Sequence, residues 1–207
     1  MNALLIVDVQ NDFLPGGNLA VSQGNQIIPV INDLQKKFNL IIASRDWHPA
    51  NHGSFASNHP GKKPGDNTVL NGLDQILWPD HCIQGSPGAE LSSLLNQSLI
   101  HKIIFKGSNP EVDSYSAFFD NGHKIETELH QYLRKKGVKR LFITGLAADV
   151  CVWFTINDAL KLGYETFLIT DATKGVNMNP GDTEKALKDM EQKGANLISS
   201  EQVEDFM

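Results

Sequence analysis

The sequence lacks the features that mark secreted, membrane-spanning and nucleic-acid-binding proteins. Its two cysteines, Cys82 and Cys151, are too few for a disulfide framework, so we expect a reduced, cytoplasmic protein. The first apolar run is interrupted by Asp8 and has no basic leader, which argues against a signal peptide or membrane span. Basic residues number 18 against 24 acidic ones, and no basic cluster exceeds residues 134–136. We therefore expect a small-molecule substrate, with no nucleic-acid or membrane partner.

Short β-rich runs alternate with helical patterns along the 207 residues. This alternation predicts a three-layer, Rossmann-like α/β fold, with about six mostly parallel strands and helices on both faces of the sheet. The predicted strands lie near 2–8, 39–44, 101–106, 139–145, 165–170 and 195–198. The predicted helices lie near 24–37, 88–97, 122–136, 149–162, 181–193 and 200–206. The chain length and the absence of a linker predict a single domain over 1–207.

One long segment, at about 45–88, departs from this alternation. It is rich in Gly, Pro, Asn and His and shows little periodicity. Irregular segments of this length inside a compact domain are usually either functional or disordered. Clusters of Trp and His argue against disorder, because aromatic residues mark packing. We expect this segment to bind metal and substrate.

Three reactive side chains lie at the ends of predicted strands: Asp8, Lys106 and Cys151. Carboxyl ends of parallel strands meet at one edge of a sheet, so these side chains are expected to converge there. Cys151 follows Asp149, a candidate helix N-cap, and a thiol at a helix start is expected to favour the thiolate. Asp8 could take the thiol proton, and Lys106 could stabilise nearby anions. The alternatives are a turn residue for Asp8 and a solvated strand end for Lys106.

A candidate metal site lies in the irregular segment. Asp46 and His48 are two residues apart, which places both side chains on one side of an extended chain. His81 can complete a set of three ligands with open positions, which suits catalytic Zn²⁺, Fe²⁺ or Mn²⁺. His52 is either a fourth ligand or a group that supports the ligands, and Cys82 is a competing soft ligand. The alternative is that these histidines are ordinary hydrogen-bonded loop residues.

Six motifs occur in order along nearly the whole chain. They are VDVQNDF (7–13), DWHP (46–49), WPDHC (78–82), FKG (105–107), DSYSAF (113–118) and GLAADVCV (145–152). Together they resemble the nicotinamidase branch of the isochorismatase-like cysteine hydrolases. The resemblance implies an Asp–Lys–Cys catalytic triad, which maps onto Asp8, Lys106 and Cys151. It also implies aromatic substrate walls, which map onto Phe13, Trp78 and Tyr115, although these aromatics could equally be core residues.

The resemblance further implies one divalent metal ion, with zinc preferred over iron or manganese. Its ligands map onto Asp46, His48 and His81, with His52 a ligand in some family members. The implied oxyanion hole uses the backbone amides of Ala147 and Cys151, after a cis peptide at Leu146–Ala147. Many relatives have Thr where this chain has Ala148, a change that a hole built from backbone should tolerate.

The activity implied by the resemblance is hydrolysis of nicotinamide, and of pyrazinamide, to nicotinate or pyrazinoate and ammonia. The reaction would proceed through a cysteine thioester and would serve NAD salvage. Alternatives are a related amidase acting on a carbamoyl or ureido substrate, an isochorismate-type vinyl-ether hydrolase, and a non-catalytic binding domain. The sequence leaves the oligomeric state open, with a homo-oligomer as one alternative.

Overall fold

The fold is described from a computed structural model that covers residues 1–207. Eight strands occur along the chain: β1 (Asn2–Val7), β2 (Ile41–Asp46), β3 (Asn67–Leu70), β4 (Leu73–Ile76), β5 (Lys102–Lys106), β6 (Arg140–Leu146), β7 (Glu165–Lys174) and β8 (Asn196–Ile198). Four α-helices accompany them: α1 (Ile27–Gln35), α2 (Leu129–Lys135), α3 (Cys151–Lys161) and α4 (Asp182–Gln192). Six of the strands form one sheet in the order β5-β2-β1-β6-β7-β8, and every neighbouring pair is parallel.

The sheet is buried on both faces. Along β1, Leu4 and Ile6 belong to one apolar cluster, whereas Ala3, Leu5 and Val7 belong to another. This alternation follows from the two-residue period of a strand, and a strand buried on both faces has apolar residues throughout. Helix α1 packs into the first cluster, and α2, α3 and α4 pack into the second. The three-layer α/β architecture and all six predicted strands are confirmed.

The segment 88–97 is not the helix that its composition predicts. Its helical turns are two short 3-10 turns, Pro87–Ala89 and Gln97–Leu99. Between these turns, the Asn11 N–H donates to the Glu90 carbonyl at 2.9 Å, and the Ser92 N–H donates to the Val9 carbonyl at 2.9 Å. Backbone groups that a helix would pair internally are therefore paired with the segment that follows β1.

The helix predicted over 122–136 begins only at Leu129. Before it, the Asp120 carboxylate accepts the N–H groups of Lys124 at 2.9 Å and Ile125 at 3.1 Å. A side chain that bonds to nearby backbone groups competes with helix formation, and here it closes a turn. The predicted C-terminal helix is also corrected in type, because Ser200–Phe206 is a 3-10 helix.

The irregular segment contains a regular element that the sequence did not predict. Strands β3 and β4 form an antiparallel hairpin outside the main sheet. Their burial is mixed, and Val69 and Ile76 are exposed, so the apolar alternation that predicts a strand is weak here. None of the helices combines the length and the apolar character needed to span a bilayer.

Strand register brings the strand ends to one edge of the sheet. Asp46 at the end of β2 pairs with Lys106 at the end of β5, and Val7 at the end of β1 pairs with Gly145 near the end of β6. Four neighbouring strands therefore finish together, and the residues that follow them share one edge.

Phe142 on β6 provides a test of the packing on one face of the sheet. It is fully buried, stacks on Phe167 with ring centroids 4.5 Å apart, and meets Phe38 edge-on at 5.1 Å. We expect Phe142→Ala to lower the free energy of unfolding by about 3–5 kcal/mol, because a cavity replaces the ring. Leu94→Ala is the control, since Leu94 is 66% exposed and should change stability by less than about 0.5 kcal/mol. Urea denaturation measures both, and equal losses would contradict this account.

Candidate active site

The Lys106 ammonium lies at the centre of the shared sheet edge. Its Nζ is 2.9 Å from Asp8 Oδ2 and 3.6 Å from the Cys151 sulfur, and it also contacts Asp46 Oδ1. It donates a further hydrogen bond to the Ser114 carbonyl at 2.9 Å. Asp8, Lys106 and Cys151 are all buried. The structure therefore brings the three predicted catalytic residues into one cluster, with Asp46 as a fourth member.

Three local backbone features accompany these side chains. Gly145 has φ of 108°, and a Cβ at this position would overlap the Val7 backbone, so glycine allows β6 to approach β1 closely. Asp8 itself adopts a left-handed φ of 49°, a conformation that Asp tolerates better than most residues. The Leu146–Ala147 peptide is cis, as the resemblance implied.

Cys151 is the first residue of α3, and the N-cap position belongs to Val150 rather than to Asp149. The predicted capping role of Asp149 is therefore wrong, because its carboxylate accepts the N–H groups of Val176 at 2.8 Å and Asn177 at 2.6 Å. These bonds tie the turn before Cys151 to the segment after β7.

The Cys151 thiol holds its proton at neutral pH. Burial raises the pKa of Cys151 well above its ordinary value, and the attraction of Lys106 for a thiolate opposes this only in part. This direction is opposite to the expectation that the helix start would favour the thiolate, because burial and the nearby Asp8 and Asp46 carboxylates disfavour a negative sulfur. A nucleophilic thiol at this position needs a nearby base.

Asp8 has the properties of that base. Burial raises the pKa of Asp8 to about 6, with the neighbouring Lys106 limiting the rise. Its Oδ1 accepts the Ser44 hydroxyl at 2.7 Å. Lys106 stays charged, because burial disfavours its ammonium but Asp46 and Asp8 more than compensate and raise its pKa well above the ordinary value. Near neutral pH, the site therefore pairs an ionised acceptor with a protonated thiol.

Asp46, His48 and His81 form a buried donor set next to this cluster. Asp46 Oδ2 lies 3.6 Å from His48 Nε2 and 3.8 Å from His81 Nε2. One ligand atom from each of the three residues lies within 4.8 Å of the others. Burial alone would raise the pKa of Asp46, but Lys106 and then His48 hold it well below its ordinary value. The set therefore offers one carboxylate and two imidazoles to a cation.

Hydrogen bonds fix the tautomers of the two histidines. His48 Nδ1 is 2.7 Å from the Gly107 carbonyl, and His81 Nδ1 is 2.7 Å from the Pro79 carbonyl. A carbonyl oxygen can only accept, so each Nδ1 carries the proton. In the neutral rings, each Nε2 therefore presents its lone pair on the side that faces Asp46, which is the orientation a metal ligand requires.

His52 differs from these two histidines. Its Nδ1 lies 2.7 Å from the Ser54 hydroxyl oxygen and 3.2 Å from the Ser54 N–H. Because a backbone N–H can only donate, Nδ1 accepts, and the proton of a neutral ring sits on Nε2, which is buried without a hydrogen-bond partner. Its ring centroid is 4.4 Å from that of His48, and the two share a second group of donor atoms with Asp113. The hydrogen bond from Ser54 to Nδ1 opposes direct metal ligation by Nε2, because it leaves the ring proton on Nε2.

Cys82 lies apart from the metal donors. Its side chain belongs to an apolar core cluster, and its N–H donates to Asp12 Oδ2 at 2.7 Å. Burial raises the pKa of the Cys82 thiol well above its ordinary value, and its sulfur belongs to none of the groups of converging donor atoms.

A narrow cavity of about 30 Å³ lies over Cys151 and the metal donors. The three predicted aromatic walls Phe13, Trp78 and Tyr115 all line this cavity. The Trp78 indole N–H donates to the Tyr115 hydroxyl at 3.0 Å, which fixes two of the walls against each other. Four further residues line the cavity and were not predicted from the sequence, namely Leu19, Asp113, Val150 and Val176. Val176 follows the end of β7 and could have been found from that position, whereas Leu19 has no such signal.

The proposed oxyanion amides are free to donate. The N–H groups of Ala147 and Cys151 make no hydrogen bond to a backbone or side-chain acceptor. By contrast, the Ala148 N–H between them donates to the Lys174 carbonyl at 2.8 Å. Two unpaired N–H groups beside a nucleophile are suited to bind the oxyanion of a tetrahedral intermediate.

The chain is similar to known proteins over nearly its whole length. A family model described as the isochorismatase domain matches residues 2–202. A nicotinamidase of Escherichia coli (strain K12) is 51% identical over 201 residues, which cover 95% of this chain and 94% of the relative. A solved nicotinamidase/pyrazinamidase structure from Acinetobacter baumanii has a TM-score of 0.94 at 46% identity, covering 98% of this chain and 97% of that one. A solved structure of a pyrazinamidase of Pyrococcus horikoshii in complex with zinc has a TM-score of 0.78 at 40% identity. The match covers 96% of this chain and 98% of that one.

The tautomers predict which histidines bind a metal directly. We expect His48→Ala and His81→Ala each to weaken zinc binding by more than about 100-fold, because a direct ligand is lost. His52→Ala should weaken it by about tenfold or less, since its Nε2 carries a proton. Equilibrium dialysis with metal analysis measures all three variants. A loss in His52→Ala as large as that in His48→Ala would show direct ligation and contradict the tautomer assignment.

Proposed function

The chain belongs to the isochorismatase family, and we propose that Cys151 is the nucleophile of its hydrolytic reaction. The enzyme hydrolyses nicotinamide, and the similar amide pyrazinamide, to the carboxylic acid and ammonia, a step of NAD salvage. The observation that carries our assignment is the position of a buried thiol 3.6 Å from the Lys106 ammonium, below a cavity with aromatic walls. The small amide substrate would enter this cavity.

We propose that Asp46, His48 and His81 hold one divalent metal ion. The donor set fits, because two imidazole lone pairs and one carboxylate oxygen face one another in a buried site. A bound ion would supply a Lewis-acidic position for a ring nitrogen of the substrate. We favour zinc, which the similar Pyrococcus pyrazinamidase binds, with iron and manganese as alternatives.

In our proposal, Asp8 and Cys151 carry the covalent chemistry. Asp8 accepts the thiol proton while the sulfur bonds to the amide carbon, which gives a tetrahedral oxyanion. The N–H groups of Ala147 and Cys151 would stabilise this oxyanion, and the loss of one such donor typically costs about 10²–10³ in rate. Asp8 then returns its proton to the nitrogen, the carbon–nitrogen bond breaks, and ammonia leaves a thioester.

The second half of the reaction restores the thiol. Asp8 accepts a proton from a water molecule while the water oxygen attacks the thioester carbon. The carbon–sulfur bond then breaks. The sulfur recovers its proton from Asp8, and the carboxylic acid leaves. Throughout, Lys106 keeps its positive charge and stabilises whichever of Asp8 and Cys151 is anionic, because it contacts both.

Phe13, Trp78 and Tyr115 would orient the ring of the substrate. A flat aromatic ring packs well between aromatic side chains, and a fixed ring places the amide carbon near the sulfur. The hydrogen bond between Trp78 and Tyr115 would keep these walls in place before the substrate arrives.

We also propose that residues 1–207 form one domain in the cytoplasm. The continuous six-stranded sheet and the family match over 2–202 support a single unit. The free thiol that the mechanism requires, together with a second free cysteine in the core, supports a reducing location.

Ammonia release from a panel of amides tests the function. We expect nicotinamide and pyrazinamide to be hydrolysed well ahead of ureido substrates. Cys151→Ala should lower kcat by at least about 10³-fold, because the covalent route is lost. The matched control is Cys82→Ala, which removes the other cysteine from a site in the core and should keep most of the activity. Substantial turnover by Cys151→Ala would rule out the thioester route.

The pKa of Asp8 predicts an acidic limit of activity. Asp8 accepts a proton only when it is ionised, and its pKa is raised to about 6, so the active form prevails above that pH. We expect kcat/KM to be level near neutral pH and to fall about tenfold per unit below about pH 6. Metal content is measured at each pH, so that loss of metal is distinguished from protonation of Asp8. A rate that stays level at about pH 5 with metal retained would exclude Asp8 as the base.

A further inference from the structure

Two cavities share four lining residues. We name these residues the collar: Trp78, Tyr115, Val150 and Val176. The inner cavity contains Cys151 and the metal donors. The outer cavity, of about 530 Å³, is large enough for a small ligand and is bounded by the hairpin and by residues 176–182. The two cavities therefore meet at the collar, and Cys151 lines only the inner one.

Gln75 fixes one half of the collar. This buried side chain on β4 donates to the Tyr115 hydroxyl at 2.8 Å, and the Trp78 indole donates to the same hydroxyl at 3.0 Å. The Tyr115 N–H in turn donates to Asn121 Oδ1 at 3.0 Å. The side chains of Trp78 and Tyr115 and the backbone of Tyr115 are thus all held by hydrogen bonds.

Asp149 fixes the other half. Its Oδ1 accepts the Val176 N–H at 2.8 Å, and its Oδ2 accepts the Asn177 N–H at 2.6 Å and the Thr183 hydroxyl at 3.0 Å. Since Asp149 precedes Val150 directly, one carboxylate ties Val150 to Val176, which are the two aliphatic members of the collar. We name this set of three hydrogen bonds the clasp.

The backbone around the clasp is tightly packed. A Cβ at Gly175 would overlap the Thr183 hydroxyl and would come within 2.9 Å of Asp149 Oδ2. Glycine therefore allows the segment after β7 to lie directly against the clasp. With its carboxylate fully engaged in the clasp, Asp149 contacts neither the proposed nucleophile nor the metal donors.

We propose that Asp149 is a specificity-determining positioning residue, which sets the width of the collar by holding Val176 in place. This inference rests on the proposed function for its substrate class, namely carboxamides on a single unsubstituted nitrogen-containing ring. With the clasp intact, the collar admits such a ring and rejects amides that carry a bulky ring substituent. When the clasp is broken, the segment that carries Val176 moves away and the collar widens.

Hydrolysis of two amides of different width tests this role. The probes are nicotinamide and 5-phenylnicotinamide. The phenyl group of the second probe lies on the ring carbon that is meta to both the ring nitrogen and the carboxamide. We expect Asp149→Ala to raise the ratio of kcat/KM for the bulky amide over nicotinamide by about tenfold, the effect of losing hydrogen bonds to a charged group. For nicotinamide itself, KM should rise more than kcat falls, because positioning is weakened and the reacting groups are kept.

Further variants separate the clasp from general damage near Cys151. Thr183→Val removes one hydrogen bond of the clasp at a distance from the nucleophile and should raise the same ratio by about threefold. Asp149→Asn keeps one acceptor oxygen and should give a ratio between wild type and Asp149→Ala. Asp171→Ala is the matched control, because Asp171 accepts the Ser200 N–H at 2.8 Å and the Ser200 hydroxyl elsewhere on β7. It should leave the ratio unchanged.

The rate of Cys151 alkylation tests the clasp independently of amide hydrolysis. Peptide mass spectrometry follows modification of Cys151 by iodoacetamide and by pyrenyl maleimide, a small and a bulky reagent. We expect clasp variants to raise the relative rate of the bulky reagent. If the wild type hydrolyses no amide, the proposed function fails while this measurement still decides the role of the clasp. Unchanged ratios in folded Thr183→Val and Asp149→Asn, or an equal change in Asp171→Ala, would overturn the proposal.

Discussion

The buried ion cluster around Lys106 is the constraint on which the rest of the site depends. A buried ammonium is costly unless it is paired and hydrogen-bonded, and here Asp8, Asp46 and the Ser114 carbonyl satisfy it. Two carboxylates against one ammonium leave one net negative charge in an apolar interior. A divalent cation beside Asp46 would offset that charge, so the arrangement proposed for the thiol chemistry would also favour the proposed metal ion.

The sequence predicted the part of the site that strand topology controls. Asp8, Asp46 and Lys106 lie at the ends of parallel strands, and neighbouring parallel strands end at one edge, so their convergence follows from the strand pattern alone. His81 and Trp78 lie in the irregular segment, where no periodicity fixes position. His81 was proposed as a third ligand from its residue type beside the Asp46–His48 pair, whereas Trp78 was proposed as a substrate wall through the family resemblance; both roles are proposals.

The predictions that the structure contradicts concern residues whose state depends on distant segments of the chain. Residues 88–97 have helical composition, but their backbone pairs with the segment after β1, a partner that local patterns do not reveal. Asp149 has the position of a helix cap, yet it bonds to residues about 27 positions further along the chain. The protonated state of Cys151 could not be predicted either, because desolvation depends on the whole fold, whereas the helix dipole can be inferred from local sequence.

The two oxygens of Asp46 have different neighbours, since Oδ1 contacts Lys106 and Oδ2 faces the two imidazoles. A single delocalised anion thus connects the ammonium of the triad with the cation position. Thermodynamic linkage then requires that any ion occupying the imidazole side alters the free energy of proton transfer on the sulfur side, and that proton transfer alters ion affinity by the same amount. Metal affinity and proton affinity in this site are therefore linked through one carboxylate.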